Sequence, residues 1–267
     1  MRVCLFMLAA LLASPAPAQD ADAVRGGWMG DVGGVRHIYM LTIRGTTVTG
    51  TYCTDCSNVA NLAFIQNGML EADGLRFDVH NPGPAAYTDA VSARLVDGEL
   101  RLTRRQRQGS STAPVTMTLR RSTSTPPAPP PASPGPPPAR PVYVPPGPAE
   151  VLSPAKVAGL WLRGEGPGKQ YFMFKQVGAE LLGLACGPCD DSNNMGPLDR
   201  ISIDGTTLKF GIVHENNARA FYDKGPFSND ARATIARNEL HMWVIPSYEP
   251  ADFVPLEITM LGPIRGY

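Results

Sequence analysis

The chain has 267 residues, with 24 lysines and arginines against 24 aspartates and glutamates. Balanced charge with no polybasic block argues against a nucleic-acid partner, which selects a basic face, and against docking on an anionic surface.

In chain order, the first element is a leader. Arg2 precedes an apolar run from Val3 to Ala13, and small residues then lead to Ala16-Pro17-Ala18. This is the pattern of a secretory signal peptide over 1–18, with cleavage after Ala18. The run is shorter than the roughly 20 apolar residues of a bilayer span. Cys4 lies ahead of it rather than at a lipoprotein cleavage site. No later stretch is long and apolar enough to cross a membrane, so no span remains after cleavage. Losing 1–18 removes Arg2 and no acid, and it leaves four cysteines. The expected location is the periplasm or the outside of the cell.

Residues 25–121 carry strand signals: "HIYMLTI", "LRFDV", "VSARLV" and "ELRLT" are short runs near period two, broken by Gly, Asn or Asp. Residues 122–150 follow as a linker in which 13 of 29 residues are proline. Such a segment builds neither a ladder nor a core and reads as polyproline II, a semi-stiff spacer of up to roughly 90 Å that holds two bodies apart. Residues 156–267 repeat the strand pattern with "QYFMFKQ", "LKFGIV", "ARATIA" and "ELHMWVI".

The two halves match each other. Without gaps, 26–56 aligns on 159–189 with eight identities in 31 positions. Among them are Gly26/Gly159, Trp28/Trp161, Gly50/Gly183, Cys53/Cys186 and Cys56/Cys189. "LVDGELRL" (95–102) matches "IARNELHM" (235–242). An internal duplication follows. With strands every eight to twelve residues and no helical stripe, the predicted fold is all-β: two tandem small antiparallel barrels joined by the Pro-rich linker. Closure removes exposed edges.

Each half opens on Gly-x-Trp, and the first ends on "VTMTLRR". This resembles the lipocalin-like, or calycin, pattern. The resemblance implies that Arg120 or Arg121 packs across Trp28 and plugs one end of the barrel; the second half has Met260 at that place. "GPLDRISIDGTTLKF" (196–210), with a looser copy in "GMLEADGLRFDV" (68–79), also resembles the small barrel domain found ahead of secreted bacterial α/β-hydrolases. This chain has no Gly-x-Ser-x-Gly elbow and no hydrolase domain.

Three readings meet at "CTDC" and "CGPC". Local disulfides, Cys53–Cys56 and Cys186–Cys189, suit an oxidising compartment and an even count. A thioredoxin-type dithiol needs a helix N-terminus to lower a thiolate pKa; here Asp190 and Asp191 follow and would oppose it. A zinc site needs four thiolates or added ligands, and the spacer is expected to keep the two pairs apart. The reading adopted is disulfides, with no metal and no cofactor.

No duplicated acid, base or nucleophile is visible. His37 falls opposite Gln170, His241 opposite Arg101, and His80 is one residue out of register with His214. The candidate ligand-binding residues are His214, Arg219 and Tyr222 in the polar stretch 213–230, together with His241 and Trp243. The expectation is a secreted binding or interaction protein for a small apolar molecule, an envelope glycan or an envelope protein. The alternative is a periplasmic enzyme, or a hydrolase-accessory module, with its site at the mouth of the second barrel.

Overall fold

The computed structural model describes residues 20–82, 86–106, 113–122, 148–164, 169–187, 189–215, 227–245 and 256–264. The leader and nearly all of the linker lie outside them. The chain forms two eight-stranded antiparallel sheets in tandem, each following a one-turn helix. In the first, α1 (Ala21–Val24) precedes β1 (Gly26–Val32), β2 (Val35–Arg44), β3 (Thr47–Cys53), β4 (Ala63–Glu71), β5 (Gly74–Asn81), β6 (Tyr87–Val96), β7 (Glu99–Gln106) and β8 (Val115–Leu119). In the second, α2 (Pro154–Val157) precedes β9 (Gly159–Arg163), β10 (Gln170–Val177), β11 (Glu180–Cys186), β12 (Met195–Asp204), β13 (Thr207–His214), β14 (Phe227–Ala236), β15 (Glu239–Ile245) and β16 (Leu256–Ile264). Neighbours in sequence pair as a meander. β16 returns to β9 and closes the second barrel, while Met29 and Arg120 bridge β1 to the end of β8 and nearly close the first. Among the described residues, no helix is long and apolar enough to cross a membrane.

Both barrels fit a lipocalin-like small-barrel architecture, and they repeat one another down to their irregularities. The register slips between Gln66 and Met69 in β4 and between Asp199 and Ser202 in β12, positions 133 apart in both cases. Within these bulges Asn67 and Arg200 take positive φ of 52° and 49°, a conformation that costs a non-glycine residue energy and persists only where its surroundings impose it. The 3₁₀ turns after each cysteine pair are capped alike, Asn58 accepting from the Ala60 amide and Asp191 from the Asn193 amide. Gly50 shows why its position repeats as glycine: φ is 144°, and a Cβ would overlap the Met40 carbonyl across the β2–β3 ladder.

The closed end of each barrel is built on its tryptophan. Trp28 Nε1 donates to the Val24 carbonyl at 2.8 Å and Trp161 Nε1 to the Val157 carbonyl at 2.9 Å, tying each one-turn helix under its barrel. In the first barrel the Arg121 guanidinium lies 4.5 Å from the Trp28 ring and donates to the Ala23 and Arg25 carbonyls. Of the two arginines expected here it is Arg121, while Arg120 pairs with Glu99. The second barrel corrects the sequence alignment. Leu119 pairs with Leu100 and Met260 with Leu240, so Met260 is a core residue matching Leu119. The arginine's place belongs to Gly262, where a Cβ would sit 3.2 Å from the Trp161 ring.

Two disulfides are present, Cys53–Cys56 and Cys186–Cys189. Among the described residues, no group of histidine, cysteine or acidic side chains is arranged to hold a metal.

The linker does not hold the barrels apart, as its composition led us to expect. Their outer faces pack together in one apolar cluster that includes Ile38, Met40 and Cys56 from the first barrel and Met173, Leu184 and Cys189 from the second. The physical reason lies in the middle of β2 and of β10, which are buried on both faces. Apolar area on the outer side stabilises the contact by leaving water. The contact is nearly two-fold: the turn Val59–Asn61 rests on β10, and its counterpart Ser192–Asn194 rests on β2. The two cysteine turns therefore meet, with Cys186 Sγ 3.8 Å from the Cys56 carbonyl oxygen. Lys175 crosses to the first barrel, donating to the Leu62 carbonyl at 2.8 Å and to Asn81 Oδ1. Burial lowers its pKa to about 8.

Candidate functional site

The meander puts the open end of each barrel beside its cysteine turn. In the first barrel that mouth is filled. His37, Tyr39 and Tyr52 project inward from β2 and β3, and Tyr87, Asp89 and Arg104 from β6 and β7, following the alternation set by the core residues Leu41, Val91 and Leu102. Arg104 pairs with Asp89 and lies over the rings of Tyr52 (4.5 Å) and Tyr87 (5.3 Å). His37 Nδ1 is 2.8 Å from the Tyr52 hydroxyl, and the Tyr39 and Tyr52 rings are 4.6 Å apart. Burial raises the Tyr39 and Tyr52 pKa values and, with Arg104 nearby, lowers that of His37. Burial opposes the Arg104 charge too, but the phenolic oxygens and the Asp89 carboxylate outweigh it and hold the guanidinium protonated.

The second barrel places smaller or apolar groups at the matching positions. Phe172 replaces Tyr39 and Ala185 replaces Tyr52, and the two are cross-strand partners as the tyrosines are. The β6–β7 and β14–β15 registers then set Asn229 where Asp89 stands and Val244 where Arg104 stands. A phenol ring and a guanidinium are gone, and a cavity of about 290 Å³ opens in their place.

Its walls are apolar: Phe172, Ala185, Ile212, Val244 and Ile258. Its polar groups are few and stand toward the mouth: Gln170, Asn194, His214 and Asn229. His214 stacks on Phe227, ring centroids 4.7 Å apart, with Nε2 3.2 Å from Asn229 Nδ2. The amide donates to Nε2, which places the imidazole proton on Nδ1. Burial lowers the His214 pKa to about 4, so the ring is neutral near pH 7.

The next residue, Glu215, is fully buried by its side chain and pinned from the other barrel, 3.4 Å from Arg44 and 3.5 Å from Arg25. Its pKa is raised because burial outweighs the two arginines. Thus the strand end carrying His214 is anchored by the first barrel. Cys186, another wall residue, is held by its disulfide.

A neutral imidazole offers one hydrogen bond, and among the described residues lining the cavity it is the single titratable group. Cys186 is oxidised and offers no thiolate.

The other candidates named from sequence are scattered. His241 and Trp243 lie on β15 between the inward Leu240, Met242 and Val244, so both point away from the cavity. His241 is buried on the outer face, where Nε2 meets Glu239 at 3.0 Å and Nδ1 meets the Thr259 hydroxyl at 3.3 Å. Arg219 and Tyr222 lie outside the described residues. His80 also faces outward, bonded to Thr88 at 2.9 Å, and the residue matching His214 is Asn81. Sequence reading passed over the wall residues because it weighed the identities between the halves. The differences at 39/172 and 52/185 were in the same gap-free alignment and carry the cavity. No protein-family model, curated protein or solved structure matches the chain.

Proposed function

We propose that the protein is a secreted, non-catalytic binding protein whose second barrel takes a small, mostly apolar molecule bearing one or two polar groups. The observation that carries this reading is the exchange of Tyr52, Tyr39 and Arg104 for Ala185, Phe172 and Val244, which empties the second mouth while the first stays filled. The cavity lies near the low end of the roughly 300–1,000 Å³ of small-molecule sites, which join apolar walls to a few placed polar groups. His214 and Asn229 would orient the ligand's polar end. The leader pattern and the two disulfides support export to an oxidising compartment, and the paired Gly-x-Trp motifs support a lipocalin-like ancestry. The test is titration with the apolar fluorophore N-phenyl-1-naphthylamine. Saturable enhancement is expected from the wild-type chain and none from Ala185→Tyr, which restores the first barrel's side chain. Equal enhancement in both proteins, or none in either, contradicts the reading.

A further inference from the structure

We propose a second binding site in the cleft between the barrels, for a short peptide with free ammonium and carboxylate ends. The cleft has a volume of about 670 Å³ and opens beside the two cysteine turns. It straddles the approximate two-fold relation of the halves. Arg36 and Lys169, Ile38 and Tyr171, Cys56 and Cys189, and Ser57 and Asp190 all line it, each pair 133 positions apart. Equivalent surfaces of a duplicated domain thus face each other across one cavity, and interfaces between folded units are where such sites concentrate.

Its chemistry is of both signs, two cations among three carboxylates. Ile38, Tyr171 and the two disulfides supply apolar surface. Each side adds one cation together with carboxylates: Arg36 with Asp31 and Asp55 from the first barrel, Lys169 with Asp190 from the second. Arg36 also meets Asp31 at 3.2 Å, but both side chains are about half exposed, and so solvated a pair is weak enough for a ligand to displace. A simple anion would face Asp31, Asp55 and Asp190, and a simple cation would face Arg36 and Lys169. A molecule with both charges separated by a polar chain meets opposite charge at each end, and like-charge contacts reject the others. The Thr54 hydroxyl offers hydrogen bonds to a peptide backbone, Ser57 Oγ, which donates to Asp55 at 2.7 Å, can accept from a backbone N–H, and the apolar surface suits a side chain.

This site is distinct from the barrel cavity. Cys186 borders the cavity and Cys189 borders the cleft, so the disulfide between them separates the two.

The experiment is isothermal titration calorimetry of the full chain with the tripeptide Leu-Ala-Leu, its N-acetyl form and its C-terminal amide. The free tripeptide is expected to bind, and blocking either end to weaken binding by roughly tenfold or more, the loss of about one charge-assisted contact. Lys169→Glu and Asp190→Lys, each checked for an unchanged melting temperature, are expected to do the same. Ala185→Tyr is expected to leave peptide binding intact, which separates failure here from failure of the cavity reading. Absence of binding by the free tripeptide at millimolar concentration overturns the proposal. So does equal affinity for the blocked forms, or for the variants.

Discussion

Ala185 stands in the second barrel where Tyr52 stands in the first, each paired across the strand with an inward aromatic, Phe172 and Tyr39 respectively. A methyl group in place of this phenol ring is one of the three exchanges that open the cavity in the second barrel. The tyrosine also carries the first barrel's polar network, because its hydroxyl meets His37 and its ring lies under Arg104. Tyr52→Ala is therefore expected to cost about 3–5 kcal/mol in urea denaturation, as large-to-small aromatic changes in cores do. A cost under about 1 kcal/mol means that the network is not what holds this end of the barrel.

His214 makes stability fall with acid. Its folded pKa is about 4 against 6.5 for the free side chain, so the unfolded chain takes up a proton below pH 6.5 that the folded chain refuses. Stability from this residue is complete above that pH and is lost as pH drops toward 4. Between pH 7.5 and 5 the loss is on the order of 2 kcal/mol. Glu215, whose pKa is raised, works in the opposite sense: it favours the folded form on acidification and disfavours it as pH rises. His214→Asn removes the histidine's contribution and keeps that of Glu215, so lowering the pH from about 7.5 to about 5 should destabilise the variant less than the wild type in denaturation curves.

Arg121→Ala tests the closed end of the first barrel. It removes a cation held over Trp28 and two hydrogen bonds to the Ala23 and Arg25 carbonyls. The expected cost is about 1–2 kcal/mol, with a change in the near-ultraviolet circular dichroism of the tryptophans. The second barrel manages with Gly262 at the matching place, so the same spectrum should show a residual Trp161 band that the variant leaves untouched.

Met173→Asp tests the docking of the barrels. Met173 is fully buried at the shared outer face, with its counterpart Met40 in the same cluster. A carboxylate there has no partner and costs several kcal/mol unless the faces separate. The expectation is an increase in radius of gyration by small-angle scattering with far-ultraviolet circular dichroism unchanged. An unchanged radius places the docking energy elsewhere.

The fold was legible in the sequence where strands keep one wet face. "VSARLV" and "ELRLT" alternate cleanly, and they are β6 and the start of β7. β3, β4, β11 and β12 gave weaker signals, because Gly50, Gly68, Gly183 and Pro197 interrupt them and β4 and β12 are bulged. The docking of the barrels was hidden for a different reason. "HIYMLTI" looked like an ordinary half-buried strand, and nothing in a single strand says that Ile38 and Met40 meet Met173 rather than solvent. The proline-rich composition of 122–150 carries no information about which barrel faces are apolar on the outside. Of the candidate site, His214 was named from a cluster of polar residues. Its setting depends on Ala185, Asn229 and Val244, from three other strands, and long-range register is what assembles them.

The claim on which the functional reading stands is that the second barrel's mouth holds a molecule that the first cannot. Native mass spectrometry of the chain purified from its own host, beside Ala185→Tyr prepared the same way, addresses it most directly. A single small-molecule adduct on the wild type that is missing from the variant is the predicted result. A wild-type chain without any adduct, or an adduct carried equally by both proteins, would contradict it.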